Sequence, residues 1–198
     1  AIPIEERSAR AEESDVRCPH PKAAADMRAH IRETMEAKDT LGGVFEVVAL
    51  GVPPGLGSHV HWDRKIEGRL AQAMLSIHAI KGAEVGPAFE NARRPGTEVH
   101  DEILLEGERV TRRTNRAGGT EGGVTTGQPL LVRAAMKPLS TTLNPLQTVD
   151  LASGNPSPTT YERSDFCAVP RAAVVGEAMV AFVLADELLR KLGGDSLV

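Results

Sequence analysis

Residues 115–140 read "NRAGGTEGGVTTGQPLLVRAAMKPLS": five glycines between Gly118 and Gly127, then an apolar run, then a Lys-Pro turn. Flexible linkers are rich in Gly and Ser and lack flanking strand-like runs. Here the glycines lead straight into a strand expected at about 129–136, so they belong to a folded unit. Their use is to let the backbone take φ > 0 or lie close to something else. Arg112, Arg113 and Arg116 place positive charge beside them. Two readings stay open: successive N–H groups that cradle an anion, or a tight structural turn. The spacing matches neither the Walker pattern nor a dinucleotide fingerprint.

Outward from this stretch the chain alternates helices and strands. Upstream, "EILLEGERVTRR" (102–113) predicts a hairpin with Glu106 and Gly107 at its turn. "KGAEVG" (81–86) predicts a short strand, and 90–102 a polar loop. A helix is expected from Asp63, with Asp63 as its N-cap and Ile66, Leu70, Ala73, Met74 and Ile77 as its apolar stripe. "VFEVVALGV" (44–52) reads as a mostly buried strand ending in the turn "PPGLGS" (53–58). Met27, Ile31 and Met35 recur every four residues in "KAAADMRAHIRETMEAKD", which predicts an amphipathic helix packed by that stripe. The opening "AIPIE" looks strand-like. Downstream, a strand at 146–152 and a turn-rich loop at 153–162 precede a long helix that opens at Pro170. Several strands lie too close together for helical crossovers, so the class is α+β with largely antiparallel strands.

Composition bounds the rest. The 198 residues are 41 % apolar but only 3 % aromatic, so the core must be aliphatic, and the net charge is −4. That balance gives no overall attraction to nucleic acid or to an anionic membrane. The longest apolar stretch, Ala172 to Ala185, is interrupted by Glu177 and is shorter than a bilayer span. No signal peptide is expected, and both chain ends look like cuts. Cys18 and Cys167 show no disulfide framework and no metal spacing, which suits reduced thiols in a cytoplasmic protein.

Five further features could carry chemistry. "KPLSTT" (137–142) offers an ammonium and three hydroxyls at a strand end, fit for a phosphate or a carbonyl-rich ring, or else a solvated terminus. "ERSDF" places Arg163 and Asp165 before a buried helix, as a rigid site or as a cap with an ion pair. His59 and His61 are spaced to share a metal, but no third ligand follows, and no metal site is expected. His78, at a helix end, suits the C-terminal dipole, and Cys167 between apolar neighbours suits burial.

Together, and in this order, "GLGS" (55–58), "SIHAIKGAEVG" (76–86), "HDE" (100–102), "TNRAGGTEGGVTTGQPL" (114–130), "VRAAMKPLSTT" (132–142), "TVDLA" (148–152), "RSDFCAVPRAAVVGEAMVAFVLADELLRK" (163–191) and "GGDSL" (193–197) resemble chorismate synthase. The match runs from about Asp39 to the end, and the earlier helix fits less distinctively.

The resemblance implies that residues 1–198 are the C-terminal half of one such domain, half of a β-α-β sandwich with long buried helices, the N-terminal half being absent. It implies conversion of 5-enolpyruvylshikimate 3-phosphate to chorismate by 1,4-anti elimination of phosphate. The cofactor would be reduced FMN, with NADPH only if a flavin reductase is built in, and the assembly a cytoplasmic homotetramer. Carried over residue by residue, His78, Ala79, Gly122, Lys137, Pro138, Leu139, Ser140, Thr141 and Arg163 match flavin contacts. Arg163 also matches a substrate contact, and Asp165 a catalytic aspartate that handles protons near flavin N5. The family's two catalytic histidines, most of its phosphate-binding arginines and an Arg-Ala-Ser-like segment should lie in the other half. His20, His30, His59, His61 and His100 do not match them. The alternative is a non-catalytic folded or assembly fragment.

Overall fold

A computed structural model describes residues 2–193; Ala1 and most of the closing "GGDSLV" lie outside the described residues. In chain order the elements are α1 (Ile4–Glu12), α2 (Pro21–Glu36), β1 (Gly43–Ala49), a 3-10 turn (Trp62–Arg64), α3 (Ile66–Leu75), β2 (Ile80–Val85) and α4 (Ala88–Asn91). A second 3-10 turn (Gly96–Glu98), β3 (Ile103–Glu106), β4 (Arg109–Arg112), β5 (Thr120–Glu121), β6 (Val124–Thr125) and β7 (Leu130–Met136) follow. The chain closes with β8 (Gln147–Val149), β9 (Pro156–Pro158) and α5 (Val169–Leu192). The three hairpins β3–β4, β5–β6 and β8–β9 are antiparallel, and the class is α+β as expected.

The chain forms two compact units. One comprises Val44–Ala135 and Val174–Val198. Its three-stranded sheet has the order β1-β7-β2. Alternation along the strands turns Phe45 and Val47, Leu130, Val132 and Ala134, and Ile80 to the buried face. α3 contributes Ile66, Leu70, Ala73 and Met74, four of the five residues in its expected stripe. Fully burying an aliphatic side chain such as Leu70 or Leu130 contributes about 1.5–3 kcal/mol. α5 lies close on β1 at Gly176, where a Cβ would come within 2.5 Å of the Phe45 ring. Val180 and Val183 continue that buried face. Arg69 of α3 ties the two helices together: Nη2 donates to Asp186 at 2.5 Å and Nη1 donates to the buried Glu187.

The other unit comprises Ala1–Gly43 and Met136–Ala173. His20 caps α2 by accepting from Ala23 N, with Pro21 in the first turn. Contrary to the stripe expected on this helix, Met27 and Met35 are exposed and only Ala24 is buried. The described residues leave those methionines about half exposed.

Locally the structure departs from expectation at several points. A helix, not a strand, begins at Ile4, because Pro3 precedes it, Glu5 and Glu6 occupy the first turn, and Glu6 pairs with Arg10 one turn on. Asp63 sits inside the 3-10 turn, and Lys65 flanks α3 in its place. The first hairpin turns at Gly107 and Glu108, since Glu106 pairs with Arg109. α4 and a 3-10 turn occupy part of the expected loop at 90–102, and β9 part of the one at 153–162. Among the described residues no helix is long and apolar enough to cross a membrane.

Candidate functional site

The glycine-rich stretch folds as a two-residue hairpin. Thr120 pairs with Thr125 and Glu121 with Val124, leaving Gly122 and Gly123 at the turn with φ of 61° and 97°. Positive φ at both central positions is what a hairpin of this twist requires. Before the turn, Gly118 lies against Gly86, where a Cβ would come within 2.3 Å of the Gly86 nitrogen. At Gly122, by contrast, a Cβ would meet nothing within 4 Å. Most of these glycines therefore serve packing and turn geometry, while Gly122 presents an open backbone face.

The hairpin is pinned to "PPGLGS". Gly55 N donates to Thr125 O at 2.8 Å, Leu56 N to Thr125 Oγ1 at 2.9 Å, and Thr125 Oγ1 to Pro53 O at 2.6 Å. Ser58 N and Ile66 N both donate to Gly123 O, at 3.1 and 3.0 Å. The nearby arginines are not free cations. Arg112 holds Glu121 through two bonds of 2.9 Å, Arg113 pairs with Glu102 at 2.5 Å, and Arg116 pairs with Glu90 at 3.0 Å.

His78 and Ala79 form the turn from α3 into β2. His78 is exposed, and Ala79 takes φ 67°, a left-handed conformation unusual for a residue with a Cβ. Gly123 bonds the first residue of α3, whereas His78 follows its last turn. The ten-residue helix, about 15 Å long, thus separates Gly122 from His78, and a ligand touching both must span it. A cavity of about 470 Å3 in this unit is lined by Gly55, Ser58, Arg64, Glu187, Arg190 and Lys191 and so borders the segment that pins the hairpin; no expected site residue lines it.

The other unit brings together the remaining expected residues. The loop Lys137–Thr141 follows β7 directly. Thr40 Oγ1 donates to Leu139 O at 2.6 Å, and Gly42 approaches Pro138 so closely that a Cβ would lie 2.9 Å from its ring. Thr141 Oγ1 donates to Ser164 Oγ at 3.0 Å, which joins the loop to the Arg163–Asp165 segment. Lys137 and Arg163 are exposed, and neither forms an ion pair with a described residue. Asp165 pairs with Arg171 at 2.8 Å, so the expected pairing of Arg163 with Asp165 or Glu162 is not formed among the described residues. Cys167 is half-buried.

Comparison with known proteins converges on one group. The family model described as chorismate synthase matches residues 2–189. The chain belongs to the chorismate synthase family. A chorismate synthase of Acidothermus cellulolyticus is 58 % identical over 183 residues, covering 92 % of this chain and 47 % of the relative. That of Thermobifida fusca is 54 % identical over 196 residues (99 % and 50 %), and that of Aquifex aeolicus 56 % over 187 (94 % and 47 %). A crystal structure of a chorismate synthase superposes with a TM-score of 0.80 at 50 % identity, covering 96 % of this chain and 50 % of that one. The chain thus spans about half the length of the chorismate synthases it matches.

Sequence reading missed Asp101, Thr125 and Ser164 as organisers of these loops. Their bonds reach 13 to 72 residues along the chain, and no local periodicity signals them. The turn residues around them were the available hint.

Proposed function

We propose that this chain supplies much of the flavin site of an enzyme that eliminates phosphate from 5-enolpyruvylshikimate 3-phosphate to give chorismate. Family membership supports the reaction class. The observation that carries the site is the Thr141–Ser164 hydrogen bond, which joins Lys137–Thr141 to Arg163 and Asp165.

The residues fit FMN. Lys137 and Arg163 are exposed cations without ion-pair partners among the described residues, suited to anionic groups of cofactor or substrate. In its own unit, Gly122 offers an open backbone face. Reduced flavin, when bound, supplies electron density as the C3–O bond breaks. In this reading Arg163 and Lys137 meet the negative charge that develops on the leaving phosphate. Asp165, which pairs with Arg171 ahead of α5, is in this reading the residue that accepts or relays a proton. The catalytic histidines and further phosphate-binding arginines belong to the part of the family's chain that these residues do not match. The full enzyme is a cytoplasmic homotetramer in this reading.

The test is FMN titration of the complete gene product in the presence of a substrate analogue. Lys137→Ala should weaken binding by about 1.5–3 kcal/mol, the contribution of a charge-assisted hydrogen bond. An unchanged titration curve would return Lys137 to the solvated surface.

A further inference from the structure

Asp101 is among the few buried charged residues, 8 % exposed. Its Oδ1 accepts from Thr114 Oγ1 at 2.5 Å and from Arg116 N at 2.7 Å, and its Oδ2 accepts from Ala117 N at 2.9 Å. Its backbone oxygen accepts from Arg112 Nη1 at 3.4 Å, and the same guanidinium grips Glu121, the residue before Gly122. A single residue thus fixes the lead-in to the glycine hairpin and touches the ion pair beside its turn. From the other side, Gly123 N donates to Glu67 Oε1 at 3.3 Å. None of these groups belongs to the expected flavin contacts.

We infer that Asp101 is a positioning residue for cofactor binding: its carboxylate holds 114–117 so that the hairpin presents the open face of Gly122. This rests on the flavin reading proposed above. The geometry also says which replacement fails. Asn is nearly isosteric, but its NH2 must face either Ala117 N–H or the Thr114 and Arg116 donors, so one donor always meets another donor. A space-filling role for Asp101 would tolerate Asn; an acceptor role would not. A hairpin that is ordered only part of the time lowers apparent affinity in proportion to the ordered fraction.

The experiment uses the complete gene product with Asp101→Asn, Asp101→Ala and, as a milder change that leaves the carboxylate in place, Thr114→Val. Arg113→Ala, which removes only an exposed ion pair, is the control. Amide hydrogen exchange over 114–125 and FMN titration are read together. Both Asp101 variants should speed exchange at Arg116 and Ala117 and raise the FMN Kd by roughly 10–100-fold. Thr114→Val should raise the Kd severalfold, and Arg113→Ala should leave both readouts unchanged. If Asp101→Ala does not fold, Asp101→Asn and Thr114→Val decide. Wild-type exchange or wild-type Kd in Asp101→Asn would overturn the inference while leaving the flavin reading intact. Failure of the unsubstituted protein to bind FMN would overturn the flavin reading, and the role of Asp101 with it.

Discussion

Thr141 and Ser164 exchange hydrogen bonds: the Thr141 hydroxyl donates to Ser164 Oγ at 3.0 Å, and Ser164 Oγ donates to the Thr141 carbonyl at 3.2 Å. Twenty-odd residues apart in sequence, the two segments that resemblance assigns to one site are thereby held side by side. Thr141→Val removes the first bond with little change in volume. A neutral hydrogen bond contributes about 0.5–1.5 kcal/mol, so FMN affinity should fall about 2–10-fold while the thermal midpoint moves little. Unchanged affinity would mean that the junction is structural only.

Asp101 also makes a pH prediction. Burial alone would push its carboxyl up, but hydrogen bonds from Thr114, Ala117 and Arg116, with the Arg112 guanidinium, outweigh it and hold the carboxyl below its ordinary value of 3.8. A depressed folded value contributes stability that is present above the ordinary value and is lost as pH falls through the folded one. Asp101→Asn should therefore narrow its stability deficit relative to wild type as pH drops below about 4. A deficit that stays constant through acid would contradict the bonded carboxylate.

α5 carries a second apolar face. Val175, Ala178, Phe182, Ala185, Leu189 and Leu192 recur at alternating three- and four-residue steps and are exposed, Phe182 to 70 %. Such a seam is suited to packing against another helix, and large exposed apolar patches favour association. The 198-residue chain alone should form oligomers or aggregates, and Phe182→Asp should reduce that. A clean monomer by light scattering at micromolar concentration would count against it.

Much of this fold was legible because period carries it. The stripe of α3 and the places of β1 and β7 follow from local spacing, but β1, expected to be mostly buried, buries only Phe45 and Val47 and leaves Val44 and Glu46 exposed, because one face of the strand is not covered. The opening segment looks strand-like because Ile2 and Ile4 alternate around Pro3, a period-2 signal too short to outweigh the helix-favouring charges after it. On α2 the spacing gave the helix but not its burial: Met27 and Met35 form a stripe that the described residues leave open. At the site, the glycines were legible as special backbone, but the three arginines read as free positive charge are each paired with a glutamate. Those pairings, like the bonds of Asp101, depend on tertiary neighbours, which spacing does not reveal.

Asp165 separates a cap from a proton handler. Asn caps nearly as well as Asp, so a structural role predicts near-normal turnover for Asp165→Asn in the complete gene product. A role at the reacting centre predicts intact folding and FMN binding with turnover lowered about 10²–10⁴-fold, the usual contribution of general acid–base assistance. The assay uses pre-reduced FMN so that flavin reduction does not limit the rate.

The most direct measurement is anaerobic conversion of 5-enolpyruvylshikimate 3-phosphate by the complete gene product with reduced FMN, following chorismate and phosphate together. The account predicts equal amounts of both products, with no product when flavin is omitted and little with Arg163→Ala. A folded, FMN-loaded protein that releases neither product, or one that is fully active without flavin, would contradict it.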